Sequence, residues 1–345
     1  MKKVIAIVLA LSVIFALAAC GSSTSGMTPP TNSKDPSAET YTIVIGSADG
    51  SGGITHQGMQ KFEEMVESRS EGRVDVQIYM DSLLGGEREI TEGQLLGTIQ
   101  MSPVSEGVYD VYDDAFAIIE LPYMFSSYDA FNAACDGAIG DYLNEKFEEN
   151  GFISFGIFSM GFRGVVNNKR TIVTPDDMKG LKLRVPEVSS YLDCFTALGT
   201  NPTPMNWSEI YTALQQGTVD GMEGSPPVLN DSRFQEVSKY FTVTNHIMST
   251  GVFTISKAYY ESLPEDIQTI VRESAEETVT WLREAYVNEW SNVIDKFHDV
   301  NGIEITYLTD EQYNAFKELV MPLYESKWYP QYGQDILELC MSFSE

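Results

Sequence analysis

Cysteine and histidine are scarce in this chain, which has four cysteines and three histidines among 345 residues. The cysteines show no CxxC spacing, and an odd three remain once Cys20 is set aside, so no disulfide framework is indicated. None of the histidines lies in an HExxH pattern or near a cysteine cluster, so the sequence predicts no metal site. One cysteine pair could still join, and the pattern does not distinguish among Cys135, Cys194 and Cys340.

Basic residues are also few, with 22 Lys and Arg against 50 Asp and Glu, which gives a formal net charge of −28. A nucleic-acid partner is excluded because such proteins carry clustered basic surfaces. An anionic small molecule is not excluded, since charges beyond about 10 Å are largely screened at 0.1 M salt. One or two nearby arginines would therefore decide whether such a ligand binds.

Motifs for catalysis and for nucleotide binding are missing. The chain contains no GxSxG, and its glycine-rich GSADGSGG segment (residues 47–53 with the preceding Gly46) lacks the lysine of a P-loop and the spacing of GxGxxG. We therefore expect neither an enzyme nor a cofactor. An extracellular hydrolase that uses paired carboxylates stays open, because 50 acids include many possible pairs; turnover of esters and glycosides would reveal it.

Long hydrophobic runs are absent apart from Val4–Leu17, which follows Lys2 and Lys3. This run is too short to span a bilayer, which needs about 20 residues, and is typical of a secretory signal peptide. The following LAAC-G segment resembles the cleavage site of bacterial lipoproteins, although an ordinary cleavage site containing a cysteine is the alternative. We expect a signal peptide at 1–19, a lipidated Cys20, a flexible Ser/Thr/Pro/Gly-rich tether over 20–40, and an extracytoplasmic protein anchored to the bacterial cell membrane.

Strands and helices alternate along the rest of the chain. YTIVIG at Tyr41–Gly46 predicts a β-branched strand, a helix follows from about Thr55, and RVDVQIY at Arg73–Tyr79 alternates with period two. The pattern restarts after Gly161. It indicates βαβ units with mostly parallel sheets, divided between two α/β lobes.

The longest periodic segment runs from Pro264 to about Asp299, with a proline and acidic residues in its first turn. Apolar residues recur at helical spacing along it, which predicts one helix of some 35 residues and about 50 Å. Two helices separated by a kink are the alternative.

The most distinctive stretch is Met178–Glu223, which reads MKGLKLRVPEVSSYLDCFTALGTNPTPMNWSEIYTALQQGTVDGME. Together with TNHIMSTGVFTISKAYYESLPEDIQ at Thr244–Gln268, it resembles the DctP-type solute-binding proteins of TRAP transporters. The resemblance implies a two-lobed α/β fold like that of periplasmic binding proteins, with a cleft between the lobes and a long helix spanning both. It places lobe I at 41–160 plus about 250–290, and lobe II at 161–249 plus about 291–345.

This resemblance implies a monomer that binds a small organic acid and delivers it to the membrane permease subunits of the transporter. A tethered receptor that signals to a membrane kinase would share the same residues and is the alternative. An ABC-type binding protein has similar periodicity, but the quoted segments favour the TRAP type. Dicarboxylates and hydroxylated sugar acids both remain possible ligands.

Four residues of the second half are candidates for ligand contact. Arg184 lies in the strand GLKLRVP, and a guanidinium matches a carboxylate bidentately; the resemblance assigns this arginine to the ligand's carboxylate. The resemblance also implies that Arg163 approaches the ligand; a salt bridge at the hinge is the alternative. It implies that Trp207 packs against the ligand, and the same residue would also suit the start of a helix. Glu223 would accept from ligand hydroxyls or would be a surface acid. Where this chain has Gly224, the sialic-acid branch of the family has an asparagine, which makes a sialic-acid ligand doubtful.

Polar residues of the first half follow predicted strands. Ser47 and Asp49 come directly after the first strand, Ser105 follows the third, and Glu87 lies in LLGGER. Ligands of α/β sheets bind outside the carboxyl ends of strands, so we expect these side chains to face the cleft and to select hydroxyl groups. Each could instead be a solvated loop residue.

Overall fold

The first of two sheets begins at the segment YTIVIG in the computed structural model, which describes residues 39–344. The strands in this range are β1 (Tyr41–Gly46), β2 (Val74–Tyr79), β3 (Met101–Val104), β4 (Phe152–Phe162), β5 (Gly164–Asn167), β6 (Lys182–Val185), β7 (Asn201–Pro204), β8 (Gly221–Gly224), β9 (Tyr240–Val243), β10 (Met248–Ser256) and β11 (Glu304–Tyr307). The predicted signal peptide, Cys20 and nearly all of the predicted tether lie outside the described residues.

Helices surround both sheets. The α-helices are α1 (Ile54–Arg69), α2 (Glu87–Leu96), α3 (Tyr128–Cys135), α4 (Ala138–Glu149), α5 (Pro175–Met178), α6 (Ser189–Ala197), α7 (Ile210–Gln216), α8 (Pro226–Asp231), α9 (Lys257–Ser262), α10 (Glu265–Asp299), α11 (Asp310–Val320), α12 (Tyr329–Tyr332) and α13 (Gln334–Ser342). Short 3-10 helices lie at Glu106–Val111, Asp114–Glu120, Trp207–Glu209 and Phe234–Val237, and a π-helical turn lies at Tyr324–Trp328.

Each sheet is parallel except for one strand. The first has the order β2-β1-β3-β10-β4, with β10 antiparallel to both neighbours, and the second has the order β11-β9-β5-β8-β6-β7, with β5 antiparallel to both neighbours. The prediction of two mostly parallel α/β lobes is therefore confirmed. The antiparallel direction of β5 and β10 was not predicted from the periodicity of the sequence.

The exceptions have a topological cause. Strand β5 enters the second sheet directly from β4 of the first, with only Arg163 between them, and β10 enters the first sheet from β9 of the second through residues 244–247. A helical crossover returns the chain to the edge of a sheet at which its parallel strands begin. Strands β5 and β10 lack such a crossover and enter their sheets at the opposite edge, where the parallel strands end. Each therefore runs antiparallel to its neighbours. Residues at these crossings, such as Arg163, lie between the two sheets.

Helix α10 is continuous over 35 residues and serves both sheets. Its first part contributes residues such as Ile267, Val271 and Leu282 to the core beneath the first sheet, whereas Val293 and Phe297 belong to the core of the second. Acids in its first turn and basic residues in its last complement the helix dipole. The predicted single spanning helix is confirmed, and the alternative of two helices is wrong.

The C-terminal helices lie against elements of both halves of the chain. Tyr324 donates a 2.8 Å hydrogen bond to the carbonyl oxygen of Pro122, while Lys327 pairs with Asp193 of α6. The lobe boundaries expected from the sequence, 41–160 with 250–290 and 161–249 with 291–345, stay a prediction.

Candidate ligand-binding site

The carboxyl ends of parallel strands from both sheets converge on a small cavity of about 50 Å3. Such a position, outside the ends of the strands, is where α/β sheets bind ligands. Six of the eight predicted ligand-contact residues line this cavity, from both halves of the chain, and they are Asp49, Glu87, Ser105, Arg163, Arg184 and Trp207. An adjoining cavity of about 40 Å3 shares four of them.

Arg184, at the end of β6, is 4% exposed and has no carboxylate partner among the described residues. Its Nε and Nη2 atoms both donate to the carbonyl oxygen of Met205, at 3.0 and 2.8 Å, while Nη1 is buried without a hydrogen-bond partner. Burial lowers the pKa of Arg184 to about 10, so the side chain is still charged at neutral pH. A buried guanidinium with a free N–H group is a site where an anion would bind.

Arg163 has a different environment, because Glu223 already neutralises it. Its Nε and Nη2 donate to the two carboxylate oxygens of Glu223 at 2.5 and 2.7 Å, and Nη1 donates to Oγ of Ser249 at 2.9 Å. Burial alone would raise the pKa of Glu223, but the charge and hydrogen bonds of Arg163 outweigh it and lower the pKa to about 2. Arg163 therefore lines the cavity and also forms a salt bridge at the crossing between the sheets.

Glu223 is fully buried on β8 and lies behind Arg163 rather than on the cavity wall. Its Oε2 atom is also 3.4 Å from Nε2 of His246, whose Nδ1 is 2.7 Å from the hydroxyl of Thr244. The surface-acid alternative for Glu223 is wrong, because the side chain has no exposed area. What the structure shows for this residue is an internal counter-ion to Arg163.

On the first-sheet side, the cavity is lined by acids and a serine. Asp49 follows β1, and its N–H donates to Oγ of Ser47, which is itself 1% exposed and lies behind the wall. Glu87 begins α2 and accepts a 2.7 Å hydrogen bond from the N–H of Ser105. Burial raises the pKa of Asp49 to about 7 and raises the pKa of Glu87 as well.

Trp207 begins a short 3-10 helix and is half-buried. Its ring lies 5.5 Å from Cζ of Arg184 and packs edge-on against Phe234 at 5.0 Å between ring centroids. The same ring therefore packs at the start of a helix and borders the cavity. Its contact with a ligand stays a prediction.

The absence of a side chain at Gly224 makes room for the side chain of Leu229. A Cβ atom at this position would lie 2.9 Å from Cδ2 of Leu229. The leucine side chain occupies the space, so a larger residue at 224 would have to displace it.

Sequence reasoning missed several residues of the site. Ser249, on β10, binds Arg163, and the Tyr191 ring lies 5.2 Å from Cζ of Arg163. Glu120 is buried nearby and accepts a hydrogen bond from the hydroxyl of Thr250. Recognition of β10 as a strand beside β4 would have pointed to Ser249. No local signal marks Tyr191 or Glu120, which reach the site only through the packing of α6 and a 3-10 helix.

Between residues 39 and 344, no three or more histidine, cysteine, aspartate or glutamate side chains are grouped so that they could hold a metal ion. Within the same range, no helix combines the length and the hydropathy that crossing a membrane requires.

The family model of DctP, described as bacterial extracellular solute-binding protein, family 7, matches residues 45–331. The chain belongs to this family. The chain is 32% identical to the C4-dicarboxylate-binding periplasmic protein DctP of Rhodobacter capsulatus over 273 residues, which cover 78% of this chain and 81% of that protein. The predicted relationship to the TRAP solute-binding proteins is thus confirmed.

Solved structures of the family share the fold. The sugar acid binding protein DctPAm of Advenella mimigardefordensis, in complex with galactonate, matches with a TM-score of 0.86 and 26% identity over 89% of this chain and 98% of that chain. A TRAP periplasmic solute binding protein of a Polaromonas species, bound to D-erythronate, matches with a TM-score of 0.84 and 30% identity over 88% and 99%. The two-lobed fold predicted from the sequence is confirmed by these matches.

Proposed function

We propose that this protein binds an organic acid between its two sheets and delivers it to the membrane permease of a TRAP transporter, without chemical turnover. The observation that carries the proposal is the buried guanidinium of Arg184, whose Nη1 has no partner among the described residues. A carboxylate bound there would satisfy both the charge and the free N–H group. Charge-assisted hydrogen bonds of this kind contribute roughly 1.5–3 kcal/mol each.

The other cavity residues support the proposal in distinct ways. Trp207 offers an aromatic wall beside the anchor, while Ser105, Asp49 and Glu87 offer polar groups on the opposite sheet. Two or three charge-assisted contacts and an aromatic wall together are enough for the approximately −8 kcal/mol of a micromolar complex. Family relatives have been solved in complex with galactonate and with D-erythronate, which are both hydroxylated carboxylates.

A thermal-shift screen of the purified full chain against mono-, di- and sugar carboxylates tests the proposal. A ligand at 100 times its dissociation constant stabilises the native state by about 2.7 kcal/mol, which raises the melting temperature by a few degrees. Stabilisation by carboxylates, with no loss of ligand on incubation, is the expected result. A well-folded sample that no carboxylate stabilises would overturn the proposal, and consumption of the ligand would favour an enzyme.

The proposal extends to the location of the protein. We infer that Cys20 carries lipid and holds a monomeric binding domain at the outer face of the cell membrane. The small residues before Cys20 and the polar segment after it support this inference, as does the family's extracellular role.

A further inference from the structure

The acids around the cavity differ in whether they have a cationic partner. Glu223 contacts Arg163 through both carboxylate oxygens. Asp49 and Glu87, which line the cavity, form no salt bridge with any lysine, arginine or histidine of residues 39–344. The cavity wall therefore carries two unpaired acids, and the guanidinium of Arg184 is the cation that faces them.

The adjoining cavity does not reverse this balance. Arg88 lines that cavity, and its Nε atom has no hydrogen-bond partner among the described residues. Its charge already acts on Asp110, because burial raises the pKa of Asp110 to about 6 and Arg88 opposes that rise. A ligand carboxylate that binds beside Arg184 thus adds negative charge to surroundings that are already acidic, where a low dielectric constant strengthens repulsion.

Glu87 is the better supported of the two unpaired acids. Burial raises the pKa of Glu87, and the charge of Glu120 adds to that rise. A hydrogen bond from the N–H of Ser105 opposes it, and so do the charges of Arg184 and Arg163. Glu87 can therefore stay ionised beside the arginines.

Asp49 lacks such support. Burial raises the pKa of Asp49 to about 7, against a hydrogen bond with Thr55 that lowers it. Its titratable neighbours are Glu87 of α2, Asp231 of α8 and Tyr286 of α10, and none of them is a cation. Asp49 is thus the acid of the cavity wall that a further negative charge would most readily protonate.

The chain around Asp49 is held in place, so its side chain cannot simply turn away into solvent. The carbonyl oxygen of Asp49 accepts a 2.8 Å hydrogen bond from the N–H of Asp81, whose own exposed carboxylate accepts from the N–H of Ser51. At the next position, a Cβ atom on Gly50 would lie 2.3 Å from the carbonyl oxygen of Asp231. Protonation is then the way in which this acid can respond to an arriving anion.

We propose that the protein takes up a proton from water when it binds its carboxylate ligand, and that Asp49 accepts this proton. This inference rests on the proposed function and names a regulation of that same site. The anion and the proton enter together, so the net charge of the cavity stays the same. Because the proton is then a second ligand of the bound state, the affinity for the carboxylate should decline as the pH rises.

Isothermal titration calorimetry of the purified full chain measures the proton uptake directly. Galactonate and D-erythronate, the ligands of two related structures, are titrated at pH 8 in phosphate, HEPES and Tris buffers, whose heats of protonation differ. If neither acid binds, the tightest-binding acid of the thermal-shift screen takes their place. Both sugar acids are fully ionised at this pH, so we expect the protein to take up roughly 0.3–1 proton per ligand.

Titrations at pH 7 and at pH 8.5 measure the consequence for affinity. The association constant should fall by at least about threefold between these values, since the proton becomes scarcer while the ligand keeps its charge. Tighter binding at the lower pH is thus the expected order for each acid.

The variant Asp49→Asn tests the assigned residue, because an amide has no proton to gain. Both the proton uptake and the decline in affinity with pH should disappear in this variant. Glu87→Gln should keep the uptake but shift it to lower pH, since it removes a negative charge beside Asp49. Glu284→Gln, at an exposed acid of α10, is the control and should behave as the wild type does. Melting curves of the unliganded variants establish that each one folds.

The outcomes separate this inference from the proposed function. Wild-type binding heats that do not depend on the buffer, or a net release of protons, overturn the proton uptake but leave a carboxylate-binding protein. Uptake that persists unchanged in Asp49→Asn overturns the assignment to Asp49. Failure of every carboxylate to bind overturns both proposals.

Discussion

Asp231, at the end of α8, accepts a hydrogen bond at 3.1 Å from the backbone N–H of Ile54, the first residue of α1. Helix α1 packs in the core beneath the first sheet, whereas α8 contributes Val228 to that core and Leu229 to the core of the second sheet. Helix α1 has no side-chain cap of its own because its N-cap residue is Gly53. A carboxylate at a helix N-terminus satisfies a free N–H group and complements the helix dipole. The contact thus joins the start of α1 to the end of α8, 177 residues further along the chain.

Removal of this contact should weaken the folded state. We expect Asp231→Ala to lower the free energy of unfolding by about 0.5–2 kcal/mol, the usual cost of losing an N-cap side chain. Urea denaturation of the unliganded protein measures the change. Glu284→Gln provides a control at an exposed acid, and a stability equal to that of the wild type for Asp231→Ala would show that the cap contributes nothing.

The ion pair of Arg163 and Glu223 should be costly to break from one side. Glu223→Gln leaves a buried guanidinium without its counter-ion, and such changes typically cost about 3–5 kcal/mol. Glu277→Gln is the matched control, because Glu277 forms an exposed pair with Arg69, worth about 0–1 kcal/mol. Chemical denaturation compares the two; similar small losses would contradict the assigned role of the buried pair.

Arg184→Ala should abolish tight carboxylate binding without unfolding the protein. Loss of two charge-assisted hydrogen bonds corresponds to roughly 3 kcal/mol or more, which is about a 100-fold loss of affinity. Lys182→Ala on the same strand is the control, since Lys182 is exposed and lies outside the cavity. Titration with the best acid from the screen measures both variants, and an unchanged affinity for Arg184→Ala would rule out the anchor.

Asp49 should make the stability of the unliganded protein depend on pH. Burial raises its folded pKa from 3.8 to about 7, with a further contribution from the neighbouring Glu87. The folded state therefore holds a proton that the unfolded state has lost, and this contribution to stability declines as the pH rises from about 4 to 7. Asp49→Asn should raise the melting temperature more at pH 8 than at pH 5.

Asp295→Asn, which replaces an exposed acid of α10, controls for the change in net charge. If the stabilisation by Asp49→Asn were the same at both pH values, the raised pKa of Asp49 would be refuted.

Membrane attachment should depend on Cys20. Cys20→Ser removes the only thiol at the predicted cleavage site, so the protein should move from the membrane fraction to the soluble extracytoplasmic fraction. Fractionation followed by immunoblotting measures this change, with Cys135→Ser as a matched control. Retention of the Cys20→Ser protein at the membrane would refute the lipid anchor.

Local patterns in the sequence were sufficient for the elements and for the family. A β-branched run identified β1, a period-two segment identified β2, and helical spacing identified α10. The two periodic patterns reflect which face of an element is buried. The motif around β6 also brought Arg184 and Trp207 to notice. The antiparallel direction of β5 and β10 could not be predicted from local patterns, because the direction of a strand depends on how the chain crosses between the sheets.

By itself the sequence determined the fold class, the family and most of the side chains that surround the cavity. The state of their charges was decided only by tertiary structure. Glu223 lies 60 residues from Arg163 along the chain, and nothing in either local pattern indicates that it neutralises that arginine while Arg184 stays without a carboxylate. Charge pairing and burial depend on distances between distant segments, which exist only once the two sheets have packed around the cleft.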